Sequence, residues 1–377
     1  MVALMRKKIL EDAERLPASV RPYGIGITAA KPEVAPEHSD GSIAYHYEIP
    51  AGLRVLSWAD AVNTEDIAET LSVQVNEKNI PVFADRNFAE SLARFGDGLV
   101  VIAEKGSTAA FEFSSMFEKS GSDLIVVLVE DDAVLRILEN VKSKHSVSAG
   151  KNIFAVVGKN ASLTYSSISE LSNGSSAFIH KISRVYSNGK MEWYDLTADS
   201  SMFRSLTEDT LAENGAESYS YHLSLCTDEH FDIYNKARHE ADNTVSHIFA
   251  RGIAGGGGKI VYRALSDIRS GVIGATGRQD GRFLITSSGA EVDAIPSLDI
   301  ASSESNSSHA LSISHLTDKD FFYPALRGIA PYRAQAMLLS GFLAKPLEKL
   351  PESWQAKFLE KINKKLSSPV FRMGEKI

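Results

Sequence analysis

The sequence predicts a mainly β protein, a parallel β-solenoid held between helical ends. Three observations predict it. Short runs of β-branched and aromatic residues, separated by small polar turns, begin near Gly98 and continue past Leu298 with no long helical pattern. Within that region a turn-then-strand unit recurs at nearly constant spacing. Apolar residues at helical spacing are concentrated near the two ends of the chain.

Taken in order, Met5, Ile9, Ala13 and Leu16 share one helical face, and Pro17 closes that segment. Residues 18–45, rich in Pro, Gly and Ala without periodicity, read as a loop wrapped over the body. Asn63-Thr64-Glu65-Asp66 reads as a helix start ahead of Ile67, Leu71 and Val75, and Asn87 to Phe95 as a second short helix. Strand texture opens with Leu99-Val100-Val101-Ile102, Phe111-Glu112-Phe113 and the run from Leu124 to Val129. Polar turns precede strands at Ala133, Ala161, Lys190 and Ala216, positions separated by 28, 29 and 26 residues, and His230 and Lys259 are again 29 apart. A sandwich has no reason to keep such a period, whereas one coil of a solenoid is a unit of this size. Asn, Asp and Gly at the turns supply positive-φ corners.

Helix returns at the C-terminal end. Thr317-Asp318-Lys319-Asp320 supplies a cap and an acidic first turn ahead of Phe321-Phe322-Tyr323. Pro331 suits a first helical position before Leu338, Leu339, Phe342 and Leu343. Pro351 opens a last helix with Trp354, Phe358, Ile362 and Leu366 as a stripe. Residues 345–377 carry eight Lys/Arg against four Asp/Glu, a basic face that is either solvated or a docking surface. The expected division is 1–96 helical and loop, 97–316 solenoid, and 317–377 C-terminal helices.

Composition narrows the function. With 40 basic against 48 acidic side chains, the net charge of −8 argues against a nucleic-acid binder. One cysteine, Cys226, excludes an internal disulfide and any multi-cysteine metal site. No apolar stretch approaches a membrane span, and Met1 to Leu16 has no signal-peptide core, so a cytoplasmic protein without a membrane partner is expected. Gly255-Gly256-Gly257-Gly258-Lys259 is no phosphate loop, because Ile253 stands where its first Gly belongs and Ile260 where Ser or Thr belongs. It reads as a tight corner. His222, Cys226, His230, His239 and His247 look like a metal cluster in one dimension but lack ligand spacing. No Ser-His-Asp, His-Glu-x-x-His or paired-carboxylate signature stands out.

The stretch from Arg278 to Ile329 is the informative one. It contains Gln279-Asp280-Gly281-Arg282-Phe283-Leu284-Ile285-Thr286, then Gly289-Ala290 leading to Pro296-Ser297-Leu298-Asp299-Ile300. Ser307-Ser308-His309-Ala310 follows, then Phe322-Tyr323-Pro324-Ala325-Leu326-Arg327-Gly328-Ile329. In order and spacing this resembles the SufB/SufD family, scaffold proteins of the Suf iron–sulfur cluster assembly system. Asn243-Thr244-Val245-Ser246 and the glycine run are similar to the SufB branch, and the resemblance covers about residues 120–345.

That resemblance implies a right-handed parallel β-helix, edge-to-edge pairing with a SufB-like homologue or a second copy, and C-terminal helices that dock a SufC-like ATPase in a SufBCD-type complex. It assigns docking to Phe322, Tyr323, Arg327, Gly328, Ile329 and Phe342. It also implies a chain without enzymatic activity of its own. The departures are chemical. The family's Cys-Ser-His-Gly becomes Ser307-Ser308-His309-Ala310, and a SufB cysteine falls on or near Ala290, so the chain is SufD-like in its chemistry. His309 is the remaining candidate ligand for iron or a cluster, and any transient cluster or iron would be shared with a partner that brings thiolates. Two rivals stand beside this reading: a carbohydrate-active β-helix enzyme, and a degenerate family member with a purely structural role.

Overall fold

The structure, a computed structural model, describes residues 43–67, 71 and 86–371. The helix expected from Met5 to Leu16, most of the 18–45 loop and Val75 lie outside the described residues.

Two nine-stranded sheets face each other across a packed interior. One stacks β1 (Ile43–Tyr47), β4 (Thr108–Phe117), β6 (Val134–Ser143), β8 (Ser162–Glu170), β10 (Lys190–Thr197), β12 (Glu217–Cys226), β14 (Val245–Ala254), β16 (Thr276–Ile285) and β18 (Asn306–His315). The other stacks β2 (Leu53–Ser57), β3 (Asp97–Ala103), β5 (Gly121–Val129), β7 (Ser148–Val157), β9 (Ser176–Val185), β11 (Met202–Leu211), β13 (His230–His239), β15 (Lys259–Ile268) and β17 (Glu291–Ile300). From β3 onward, sequence neighbours alternate between sheets and strands within a sheet pair in parallel. This is a parallel β-solenoid, as expected.

The period has a backbone cause. At one corner of the coil the chain takes positive φ at Asp132, Asn160, Asn188, Gly215, Asn243 and Gly274, each 27 to 31 residues after the last. Asn, Asp and Gly tolerate that conformation where other residues are strained. The side chains also bond from coil to coil. The Asn160 amide donates to Asp132 Oδ1 at 3.0 Å, and Asn243 donates to Asn214 Oδ1 at 2.9 Å.

In-register pairing puts alternate residues of every strand into the interior. The early coils are filled by Leu99, Val101, Phe111, Ile125, Ile137 and Ile153. A charged layer follows, in which buried Lys151 lies 2.6 Å from both Asp123 and Glu139. Further along, Lys181 pairs with Asp195, and the Trp193 indole donates to Asp209 at 2.8 Å. Each buried charge thus meets an opposite charge or a hydrogen-bond partner, as burial demands.

The segment before residue 97 holds more strand than the sequence suggested. β1 pairs antiparallel with β4, and β2 pairs antiparallel with β3, so among the described residues the N-terminal edge strands run against the direction of the coils. Helix α1 (Trp58–Asn63) starts where the Ser57 hydroxyl accepts from the Asp60 amide, earlier than Asn63. Thr64 breaks it, and 65–67 are helical again. Helix α2 (Arg86–Ala93) lies within one or two residues of its expected span.

The C-terminal helices α3 (Asp318–Leu326), α4 (Pro331–Ala344) and α5 (Glu352–Leu366) follow the last strand. Leu339, Leu343, Trp354, Phe358, Ile362 and Leu366 pack on Leu138, Ile168, Leu223 and Ile253, on the outer face of the β18-containing sheet. The basic face of α5 turns to the solenoid: Lys357 pairs with Glu112, Lys361 with Asp199 and Lys365 with Glu229. Much of the local positive charge is therefore matched inside the chain.

Candidate functional site at the open end of the solenoid

At the C-terminal end no described strand pairs beyond β17 or β18, so both present free backbone donors and acceptors. Parallel register stacks Ser307 on Gly277, His309 on Gln279, Leu311 on Gly281 and Ile313 on Phe283. Gln279 and Phe283 point inward, at 5% and 1% exposure, so His309, Leu311 and Ile313 share that face with no coil above them. His309 is exposed for this reason, and Ile300 and Ile313 remain 39% and 42% exposed.

Beneath His309 the Gln279 amide nitrogen donates to Ser266 Oγ at 3.0 Å and to the Ser297 carbonyl at 2.8 Å. Gln279 Oε1 and Ser307 Oγ are buried without a hydrogen-bond partner among the described residues. The site thus offers an imidazole, a hydroxyl and an amide oxygen. It has no thiolate. Cys226 is buried in β12, bonded to the Glu229 carbonyl at 3.0 Å, and burial pushes its thiol far above the ordinary range.

The other histidines are scattered. His222 and His239 lie inside different coils, while His230 and His247 face outward. Among the described residues no group of three or more His, Cys, Asp or Glu side chains is placed to hold a metal ion. The glycine run makes the corner between β14 and β15. Gly256 has φ +56, and a Cβ on Gly258 would sit 2.8 Å from Cys226 Sγ.

A second surface lies on α3 and α4. The Thr317–Asp320 capping box starts α3 as expected. Phe322, Tyr323, Leu326, Tyr332 and Met337 are 66, 62, 68, 54 and 60% exposed, an unusual density of bare apolar side chains. Arg327 is exposed and donates to the Tyr323 hydroxyl at 2.7 Å, Gly328 takes φ +71 to end the helix, and Ile329 is half-buried. Phe342 stands apart from them. It is half-buried against the solenoid, beside Arg251. Leu326, Tyr332 and Met337 were not singled out from the sequence, although 322 and 326 share a helical face.

Residues 114–342 match the family described as SUF system FeS cluster assembly, SufBD core domain. The chain belongs to the SufBD family. The matched segment takes in the solenoid from β4 onward, the open end, α3 and most of α4. An iron-sulfur cluster assembly SufBD family protein of Staphylococcus aureus strain USA300 is 27% identical over 197 residues, 52% of this chain and 42% of the relative. A SufBD family protein of Staphylococcus saprophyticus has the same identity and coverage. This SufBD chain thus spans less than half the length of the curated relatives it matches. No helix among the described residues is long and apolar enough to cross a membrane.

Proposed function

We propose that this SufBD chain is a non-catalytic scaffold subunit of a Suf-type iron–sulfur cluster assembly complex. In this reading it couples a SufC-like ATPase to cluster assembly or iron acquisition. The observation that carries it is the open solenoid end, where a ligand-capable histidine lies between two unpaired strand edges. Such an edge accepts a strand from a SufB-like homologue or from a second copy. The cluster is cargo built at that junction. Its thiolates come from the partner, because this chain has one cysteine and buries it. His309 contributes a nitrogen from this side. The ATPase docks on the apolar face of α3 and α4, where bare aromatic side chains are the usual anchors of a protein contact.

The test is co-expression with an ABC-type ATPase and a cysteine-bearing homologue, followed by iron and sulfide analysis of the purified complex. The wild-type complex is expected to carry both, and a folded His309→Ala complex to lose most of them. Normal loading of His309→Ala would reduce this histidine to a structural residue. A wild-type complex without iron or sulfide, with no effect of deletion on cluster enzymes, would favour the purely structural role.

A further inference from the structure

Gln279 is buried across the last complete coil, reaching from β16 to Ser266 of β15 and to Ser297 of β17. A backbone carbonyl can only accept, so the atom facing the Ser297 carbonyl must be the amide NH2. This chemistry fixes which way the amide points. Its oxygen is left buried and unpartnered, a state that costs free energy in a folded protein and calls for a donor. The residue stacked on Gln279 in the next strand, on the same inward face, is His309. Parallel neighbours lie about 4.8 Å apart, within reach of two long polar side chains.

We propose that Gln279 is a positioning residue for His309: the exposed ring turns inward so that Gln279 Oε1, unpartnered in the structure, accepts the N–H of the nearer ring nitrogen, and the unprotonated nitrogen faces out of the open end. An imidazole alone divides its proton between two nitrogens and turns about its side-chain bonds. An acceptor held from two sides by Ser266 and Ser297 selects one tautomer and one ring orientation, the arrangement found behind histidines that bind metals. The value of this placement rests on the reading of His309 as a ligand. The placement itself does not.

Ser307 is the competing donor, since its hydroxyl is also buried and unpartnered on the same face, two residues from His309. The test is nitrogen-15 NMR of the full chain labelled at histidine, with the His309 signals assigned by their loss in His309→Ala, at a pH where the ring is neutral. Wild-type His309 is expected to show one dominant tautomer. Gln279→Met should shift the tautomer ratio about fivefold toward that of free histidine, the worth of one neutral hydrogen bond. Ser307→Ala should leave the ratio unchanged. A wild-type His309 with the tautomer ratio of free histidine overturns the proposal, whether or not Gln279→Met folds. So does a ratio that moves in Ser307→Ala and stays fixed in Gln279→Met. A single tautomer in a complex whose His309→Ala form still loads clusters keeps the positioning role and removes the cluster role.

Discussion

Burial sets the charge state of the interior residues, and it does so in opposite directions for acids and bases. Desolvation lowers His180 to about 3, His222 to about 4 and His239 to about 4, so all three are neutral in the folded chain at neutral pH. Asp123 is raised to about 6, chiefly by desolvation, although Lys151 pulls the other way. Between pH 6.5 and 4 the unfolded chain protonates its histidines and the folded chain does not, so each histidine removes stability as the pH falls. Asp123 takes up its proton in the folded state first and adds stability over the window from about 6 to 4. From pH 7 to pH 5 each histidine loses about 2 kcal/mol and Asp123 returns about 1, and buried Glu208 and Asp209, both raised by desolvation, also offset the loss. Urea unfolding at the two pH values measures it. His222→Phe should recover about 2 kcal/mol of the loss between the two pH values, and the unpartnered Nε2 of His222 gives up no hydrogen bond seen in the structure. An unchanged pH dependence in His222→Phe would mean that this histidine is not buried neutral.

The elements of the C-terminal region divide into those that hold the fold and those whose apolar side chains stay exposed. Phe342 belongs to the first kind, packed between α4 and the outer sheet face beside Arg251. Phe342→Ala should lower stability by about 2–4 kcal/mol. Tyr323→Ala should leave the melting temperature within about 1–2 °C and weaken co-purification of the ATPase. The reverse pattern, or co-purification that survives removal of residues 317–377, would place the docking site elsewhere. These elements also show what a sequence can disclose. The corners were legible because Asp132, Asn160 and Asn188 must tolerate positive φ, a demand that leaves a residue signature. The stripe of Trp354, Phe358, Ile362 and Leu366 was legible because one face is buried. The strands at Ile43–Tyr47 and Leu53–Ser57 were missed, since IAYHY and LRVLS are short and lack turn pairs at the solenoid period. The direction of Phe342 was open for another reason. Both faces of α4 are apolar, so spacing could not say which one meets the solenoid. His309 was placed by its motif, whereas its support from Gln279 depends on a stacking register that spacing of loosely repeated coils does not fix.

For the molecule as a whole, the two ends of the solenoid differ in strand direction, and that difference predicts how copies of the chain would assemble. The antiparallel strands β1 and β2 occupy the N-terminal edges, while β17 and β18 offer unpaired backbone together with exposed Ile300 and Ile313. A solenoid with the same parallel edge at both ends would polymerise, because each copy could add another. β1 and β2 are edge strands too, but they run antiparallel to the coils and do not repeat the parallel edge of β17 and β18, so pairing of two like C-terminal ends gives an assembly of two. The purified chain without its partners is therefore expected to run at about twice its 41.0 kDa mass by light scattering, with no fibres. Ile313→Lys places an ammonium on the inward face of the last strand, where a partner coil would have to desolvate it. It should shift the equilibrium to monomer and leave the unfolding transition of the solenoid nearly unchanged, since Ile313 is already partly in water. A wild-type chain that stays monomeric alone, and also when mixed with a cysteine-bearing homologue, would mean that the open end is not the assembly surface. The same chain forming long filaments would mean that the antiparallel edge of β1 and β2 also accepts another copy.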